Sequence, residues 1–184
     1  MTSEDGLKFL LSKLDECGIP YMITGSFASN IHGLPRATQD ADIVIEVEQK
    51  TLESFLKSLG SAFYRSPEAA MDALGREQMF NVIHLPTGFK VDLIVRKSRP
   101  FSRMEFSRRQ PAFYLGANRW FATGEDTILA KLEWSKASGS ERQFNDALSV
   151  AKLQRDNLDR TYLEKWAKEL DILNLLEKLI REME

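Results

Sequence analysis

Apolar residues recur along this chain at two periods, and the switches between them mark most of the elements. Leu7, Leu10, Leu11 and Leu14 fall at three- and four-residue steps, the stripe of an amphipathic helix that Ser3 can cap and that Gly18 and Pro20 end. An apolar run over 21–24 predicts a strand. Gly25 and Ser26 then sit at a turn into a short helix ending near position 31, before Gly33 and Pro35. Positions 40–47 predict a second strand, and Leu52, Phe55, Leu56 and Leu59 return to the helical period. Ser66 and Pro67 read as the cap and first position of another helix. Two runs, 79–85 and 89–96, joined by Pro86, Thr87 and Gly88, predict a hairpin.

From 98 to 118 the pattern carries little, with 112–115 and 119–122 the candidate short strands. Thr123, with Asp126 three residues on, resembles a capping box and opens a helix through about position 136, which Gly139 breaks. Segments 141–154, 160–170 and 172–183 read as three further helices, so the final third is helical. With 184 residues, the chain has room for one core, or for a catalytic domain with a small helical appendage.

Composition, with 43% hydrophobic and 28% charged residues, excludes disordered and collagen-like classes. The opening Met1, Thr2, Ser3, Glu4 and Asp5 lack the basic start and apolar core of a secretory signal, and no apolar run approaches membrane-spanning length. A cytoplasmic protein without a membrane partner is expected. Cys17, the single cysteine, reads as helix packing, and His32 and His84 lack paired ligand spacing. Trp120, Trp134 and Trp166 read as core or interface aromatics. The net charge of −2 hides a basic segment: 96–124 holds seven Lys or Arg against one acid, Glu105. Interleaved with Phe101, Phe106, Phe113 and Tyr114, it is either a surface for phosphate or nucleic acid, or a solvated loop with its aromatics in the core.

Asp40 and Asp42 carry the first candidate chemistry. On a strand they share one face, while Ala41, Ile43, Ile45 and Val47 share the other, apolar face. Residues two apart lie about 6.5–7 Å apart, within reach of two ions about 3.5–4 Å apart. The competing reading is a solvated strand edge. Asp92 lies within Val91, Leu93, Ile94 and Val95, where an unpaired charge is costly. A third carboxylate beside the first two would complete a Mg2+ site; a salt bridge to Lys90 or Arg96, or solvent on an edge strand, is the alternative. Gly25 and Ser26 offer a close backbone approach and a helix start to phosphate.

The stretches Ile23-Thr24-Gly25-Ser26, Arg36-Ala37-Thr38-Gln39-Asp40-Ala41-Asp42-Ile43 and Val91-Asp92-Leu93 together resemble the signature of the DNA polymerase beta-type nucleotidyltransferases. The Arg-x-Thr-x-Asp-x-Asp form is most similar to the AbiEii-type toxin nucleotidyltransferases and their bacterial relatives. Glu125 and Lys131, then Arg142 and Asp146, resemble that subgroup's later motifs. Thirteen residues separate Ser26 from Asp40, toward the long end of the pattern.

The resemblance implies an α/β (α+β) polymerase-beta-like fold: a small mixed sheet flanked by helices, as a catalytic core over 1–124, with a helical C-terminal subdomain over 125–184 packed on it. It implies transfer of a nucleoside monophosphate from a nucleoside triphosphate to an acceptor hydroxyl. Asp40, Asp42 and Asp92 would be catalytic and hold two Mg2+ ions; Gly25, Ser26, Arg36, Thr38, Lys131, Arg142 and Asp146 would bind the nucleotide. Candidate acceptors are tRNA or a protein, with an antitoxin as a candidate partner of a toxin. An antibiotic-modifying enzyme and a non-catalytic nucleotide-binding module are the alternatives.

Overall fold

The structure is a computed structural model that describes residues 2–183. Its chain forms two compact units: one from Met1–Ile23 and Thr38–Phe121, the other from Thr24–Ala37 and Ala122–Glu184.

The first unit is built on a seven-stranded mixed sheet. Its strands are β1 (Tyr21–Thr24), β2 (Asp40–Ile45), β3 (Phe63–Arg65), β4 (Met79–His84), β5 (Phe89–Val95), β6 (Gln110–Tyr114) and β7 (Ala117–Phe121), in the spatial order β3-β4-β5-β2-β1-β7-β6. The β4–β5 hairpin is antiparallel, whereas β2 runs parallel to β5 and β1 parallel to β7. Helices α1 (Ser3–Glu16), α3 (Gln49–Ser58), α4 (Pro67–Arg76) and α5 (Pro100–Ser107) flank the sheet.

Strand alternation separates the two faces of the central strands. Ala41, Ile43 and Ile45 on β2, Val91, Leu93 and Val95 on β5, and Phe80, Val82 and His84 on β4 are all buried and register with one another. The stripe of α1 (Leu7, Leu10, Leu11, Leu14) and the Leu52 and Phe55 side chains of α3 complete this core. Phe9 stacks on Phe63, and Gly6 of α1 lies directly against the fully buried His84 ring. The hydrophobic effect therefore commits one face of β2, β5 and β4 to the core, and the opposite face carries polar residues at one end beside Val44, Ile94 and Ile83.

The second unit is helical: α2 (Gly25–His32), α6 (Gly124–Ser138), α7 (Glu141–Gln154), α8 (Arg160–Glu169) and α9 (Leu173–Met183). Gly139 ends α6 at φ 67°, a conformation that favours glycine. Helix α2 packs on α6 and α7, and a Cβ on Gly33 would meet the Ser29 carbonyl and the side chains of Ser149 and Val150. The fully buried Asp126 accepts hydrogen bonds from Thr123 Oγ1 and Tyr162 Oη, at 2.7 and 2.5 Å, so its charge is not left bare.

One local expectation is corrected, and two segments that the pattern left open take form. Thr2, not Ser3, caps α1, in a reciprocal pairing with Asp5. The segment near 98–109 contains α5, which opens on Pro100 and buries Phe101 and Phe106, a spacing too sparse to show the helical stripe. Phe63–Arg65 is an edge strand, recruited by the neighbouring β4 rather than by any apolar run of its own. Among the described residues no helix is long and apolar enough to cross a membrane.

A methyl group at Gly6 would lie 2.7 Å from His84 Cγ and Nδ1. Gly6→Ala is expected to lower stability by about 1–3 kcal/mol through overpacking. Gly75→Ala on α4, with nothing within 4 Å, should leave stability unchanged or slightly higher. Urea unfolding of both variants checks the contrast.

Candidate active site

The register of β2 against β5 places Asp40 opposite Lys90 and Asp42 opposite Asp92, and the β4 register adds Asn81 opposite Asp92. All five side chains share the sheet face opposite to that of Ala41, Ile43, Val91 and Leu93. Asp92 is 5% exposed and sits on a central strand rather than an edge. Its Oδ2 accepts a hydrogen bond from Lys90 Nζ at 2.8 Å, and its Oδ1 accepts one from Asn81 Nδ2. Lys90 Nζ also lies 3.9 Å from Asp40 Oδ2. Thr38 Oγ1 donates to Asp40, reaching its backbone oxygen at 3.0 Å and Oδ1 at 3.1 Å.

Facing residues on adjacent strands lie about 5 Å apart, where two like charges repel by roughly 3 kcal/mol at an effective dielectric near 20. The Asp42–Asp92 pairing thus needs a neighbouring positive charge. Lys90 supplies one, and its ammonium is held charged above the ordinary lysine range, first by the hydrogen bond to Asp92 and then by the fields of Asp92, Asp40 and Asp42. Of the two salt bridges considered for Asp92, the one to Lys90 forms, while Arg96 pairs with Glu46 at 2.7 Å.

Oxygen donors of this kind suit a hard divalent cation such as Mg2+. Among the described residues, however, no three His, Cys, Asp or Glu side chains are grouped so as to hold a metal ion as they stand. The donor set fits the ion in type and in shared face, but Lys90 contests its place beside Asp92 and Asp40.

The second unit gathers a separate polar cluster. Gly25 has φ 60°, so the turn after β1 requires the freedom of glycine. Arg36 grips Asp146 with two hydrogen bonds, Nε to Oδ1 at 3.0 Å and Nη2 to Oδ2 at 2.8 Å, and Nη2 also donates to Ser26 Oγ at 2.8 Å. Asn30 fixes the Arg36 backbone through both its carbonyl and its N–H. Lys131, 3% exposed, donates to Asp146 Oδ2 at 3.0 Å and to Gln143 Oε1 at 2.8 Å. Burial pushes the Asp146 carboxyl upward, but the hydrogen bonds from Arg36 and Lys131 outweigh it and hold the group below the usual aspartate range.

Ser26, Arg36, Lys131 and Asp146, far apart in sequence, are therefore brought together in one unit, and Asp40, Asp42 and Asp92, with Thr38, in the other. Arg142 is exposed on α7 and forms no i,i+4 pair with Asp146, whose oxygens go to Arg36 and Lys131. Sequence reasoning missed Asn81, Asn30 and Gln143. A polar residue at the middle of β4, in register with Asp92, was the signal for Asn81 once the hairpin was drawn.

The basic segment is partly structural. Buried Arg119 pairs with Asp15, whereas Arg109 lies over the Phe106 and Trp120 rings at 4.3 and 5.3 Å. Phe113 and Trp120 remain 76% and 41% exposed, and Trp134 is half exposed, while Trp166 is buried.

No protein-family model matches this sequence, and no curated protein matches it. Solved structures do. An antigenic nucleotidyltransferase-like protein from Paracoccidioides brasiliensis superposes with TM-score 0.66 at 19% identity, over 98% of this chain and 88% of that one. The antibiotic-resistance factor ANT(2'')-Ia, in complex with adenylyl-2''-tobramycin, superposes with TM-score 0.59 at 13% identity, over 91% of this chain and 96% of that one. At such identities the agreement is one of fold: the chain has a nucleotidyltransferase-type fold.

Asp146→Asn is expected to cost about 3 kcal/mol at pH 7, because it leaves Lys131 buried without its carboxylate. Since the folded carboxyl titrates below its unfolded value, this contribution is complete above about pH 4 and fades as pH falls through the lower folded value. Urea unfolding of both proteins between pH 7 and pH 3 should show the gap closing in acid.

Proposed function

We propose that this chain is a metal-dependent nucleotidyltransferase that moves a nucleoside monophosphate from a nucleoside triphosphate to an acceptor hydroxyl. The observation that carries the reading is the β2–β5 register, which sets Asp42 opposite Asp92 with Asp40 on the same face, on a nucleotidyltransferase-type fold.

Asp40, Asp42 and Asp92 are the residues that would hold Mg2+, with two ions expected. When bound, the ions would lower the hydroxyl's pKa and stabilise the charge developing on the transferred phosphate. Asp92, its carboxylate held by Asn81, is assigned as the general base that receives the acceptor proton. The acceptor oxygen bonds to the alpha phosphorus as the bond to the departing pyrophosphate breaks. Gly25, Ser26 and Arg36 are assigned to the phosphates, together with exposed Arg142. Asp146, bound to Arg36 and held in turn by buried Lys131, is assigned with Lys131 to orienting that guanidinium.

The acceptor is assigned to tRNA or a protein, as for a toxin held by an antitoxin. The support is the basic, aromatic surface of Arg109, Phe113 and Trp120. A small hydroxylated acceptor is the second reading, favoured by the likeness to ANT(2'')-Ia, whose structure holds an adenylylated tobramycin.

The test is transfer from alpha-labelled ATP, CTP, GTP and UTP, with Mg2+, to total RNA, to lysate protein and to aminoglycosides. Label is expected on one acceptor class, with Asp42→Ala at least about 100-fold slower and still folded. Undiminished transfer by Asp42→Ala would overturn the assignment. Nucleotide binding without transfer to any acceptor would point instead to a binding module.

A further inference from the structure

Lys90 is the cationic member of the acidic face, and the reaction above does not require it as a ligand, base or phosphate contact. It lies on β5 two residues before Asp92, so the strand turns both to the same face, and the parallel register puts it level with Asp40. Its ammonium is 2.8 Å from Asp92 Oδ2 and 3.9 Å from Asp40 Oδ2. A cation in contact with one carboxylate and close to a second stands where a divalent ion shared by those two would stand.

We propose that Lys90 is the resident cation of this face: it balances Asp92 and Asp40 while no metal is bound, and a divalent ion must displace it to bind. The inference rests on the carboxylate face being a metal site, and it concerns how that site is regulated.

The burial of Asp92 separates this from an ordinary surface ion pair. Exposed pairs contribute little, but Asp92 is 5% exposed, and removing its partner would leave an uncompensated charge out of water. Asn81 holds the other oxygen of Asp92 and cannot neutralise it, since an amide carries no charge. Lys90 itself is 39% exposed along its side chain, and its flexible stem allows the ammonium to swing into solvent when a doubly charged ion arrives. Ammonium and metal cannot share the position, because both would claim Asp92 Oδ2 and they repel each other.

Free divalent ion should therefore bind the wild-type chain weakly, and removal of the Lys90 charge should strengthen binding. The experiment titrates Mn2+ into the full chain, wild type and Lys90→Met, following free ion by electron paramagnetic resonance, with thermal unfolding recorded with and without Mg2+. Lys90→Met is expected to bind Mn2+ at least tenfold tighter, to melt several degrees lower than wild type without metal, and to recover when Mg2+ is added. Lys90→Gln, which keeps a hydrogen-bond donor for Asp92 without the charge, covers the case in which Lys90→Met fails to fold, and is expected to show the same tightening. Equal Mn2+ affinity in wild type and variants would overturn the role of Lys90 while leaving the metal site standing. Absence of Mn2+ binding in all three would overturn the metal site itself, and with it this inference.

Discussion

The parallel pairing of β2 with β5 is the constraint on which the acidic face depends. Its register is set by the apolar side: Ala41 against Val91, Ile43 against Leu93 and Ile45 against Val95, all buried. A slip by one residue would turn these side chains out of the core, so the hydrophobic effect holds the pairing firmly. The opposite face has no choice but to bring Asp42 level with Asp92 and Asp40 level with Lys90. The core thus stabilises an arrangement whose polar side is electrostatically strained unless a cation is present.

The second unit solves a related problem with its own charges. Asp146 is shared by Arg36, from the segment after α2, and Lys131, from α6, so one carboxylate ties together three parts of the chain. Burial alone would push its carboxyl upward, and the two cations outweigh it and hold the group below the usual aspartate range. Ser26 joins the same network through Arg36, which places the residues following the glycine turn under the control of a fixed guanidinium. Each unit therefore contains a preorganised charged cluster, one acidic and balanced by a lysine, the other centred on a bidentate arginine.

Much of this was legible from residue order. The two-residue spacing of Asp40 and Asp42, the apolar flanks of Asp92 and the hairpin signal at Pro86-Thr87-Gly88 led to the strands that form, and Ser66-Pro67 and Gly139 mark the helix ends observed. The parts that escaped are those in which tertiary contacts override local pattern. Helix α5 is organised by two buried phenylalanines and a proline start, β3 exists as the edge partner of β4, and residues 24–37 group with the C-terminal helices. Asn81, Asn30 and Gln143 could not be found by spacing, because each earns its place by facing a residue distant in sequence. Arg142 shows the converse: a motif position that spacing pairs with Asp146 but that the fold leaves exposed.

We propose that the polar face of β2 and β5 is a divalent-metal site serving nucleotidyl transfer. Its most direct test is a crystal of the full chain grown with Mn2+ and a non-hydrolysable nucleoside triphosphate, with the ions located by anomalous scattering. Mn2+ is expected within roughly 2.0–2.3 Å of carboxylate oxygens from Asp40, Asp42 and Asp92, with Lys90 turned away. Mn2+ bound elsewhere, with Lys90 still closed on Asp92, would contradict it.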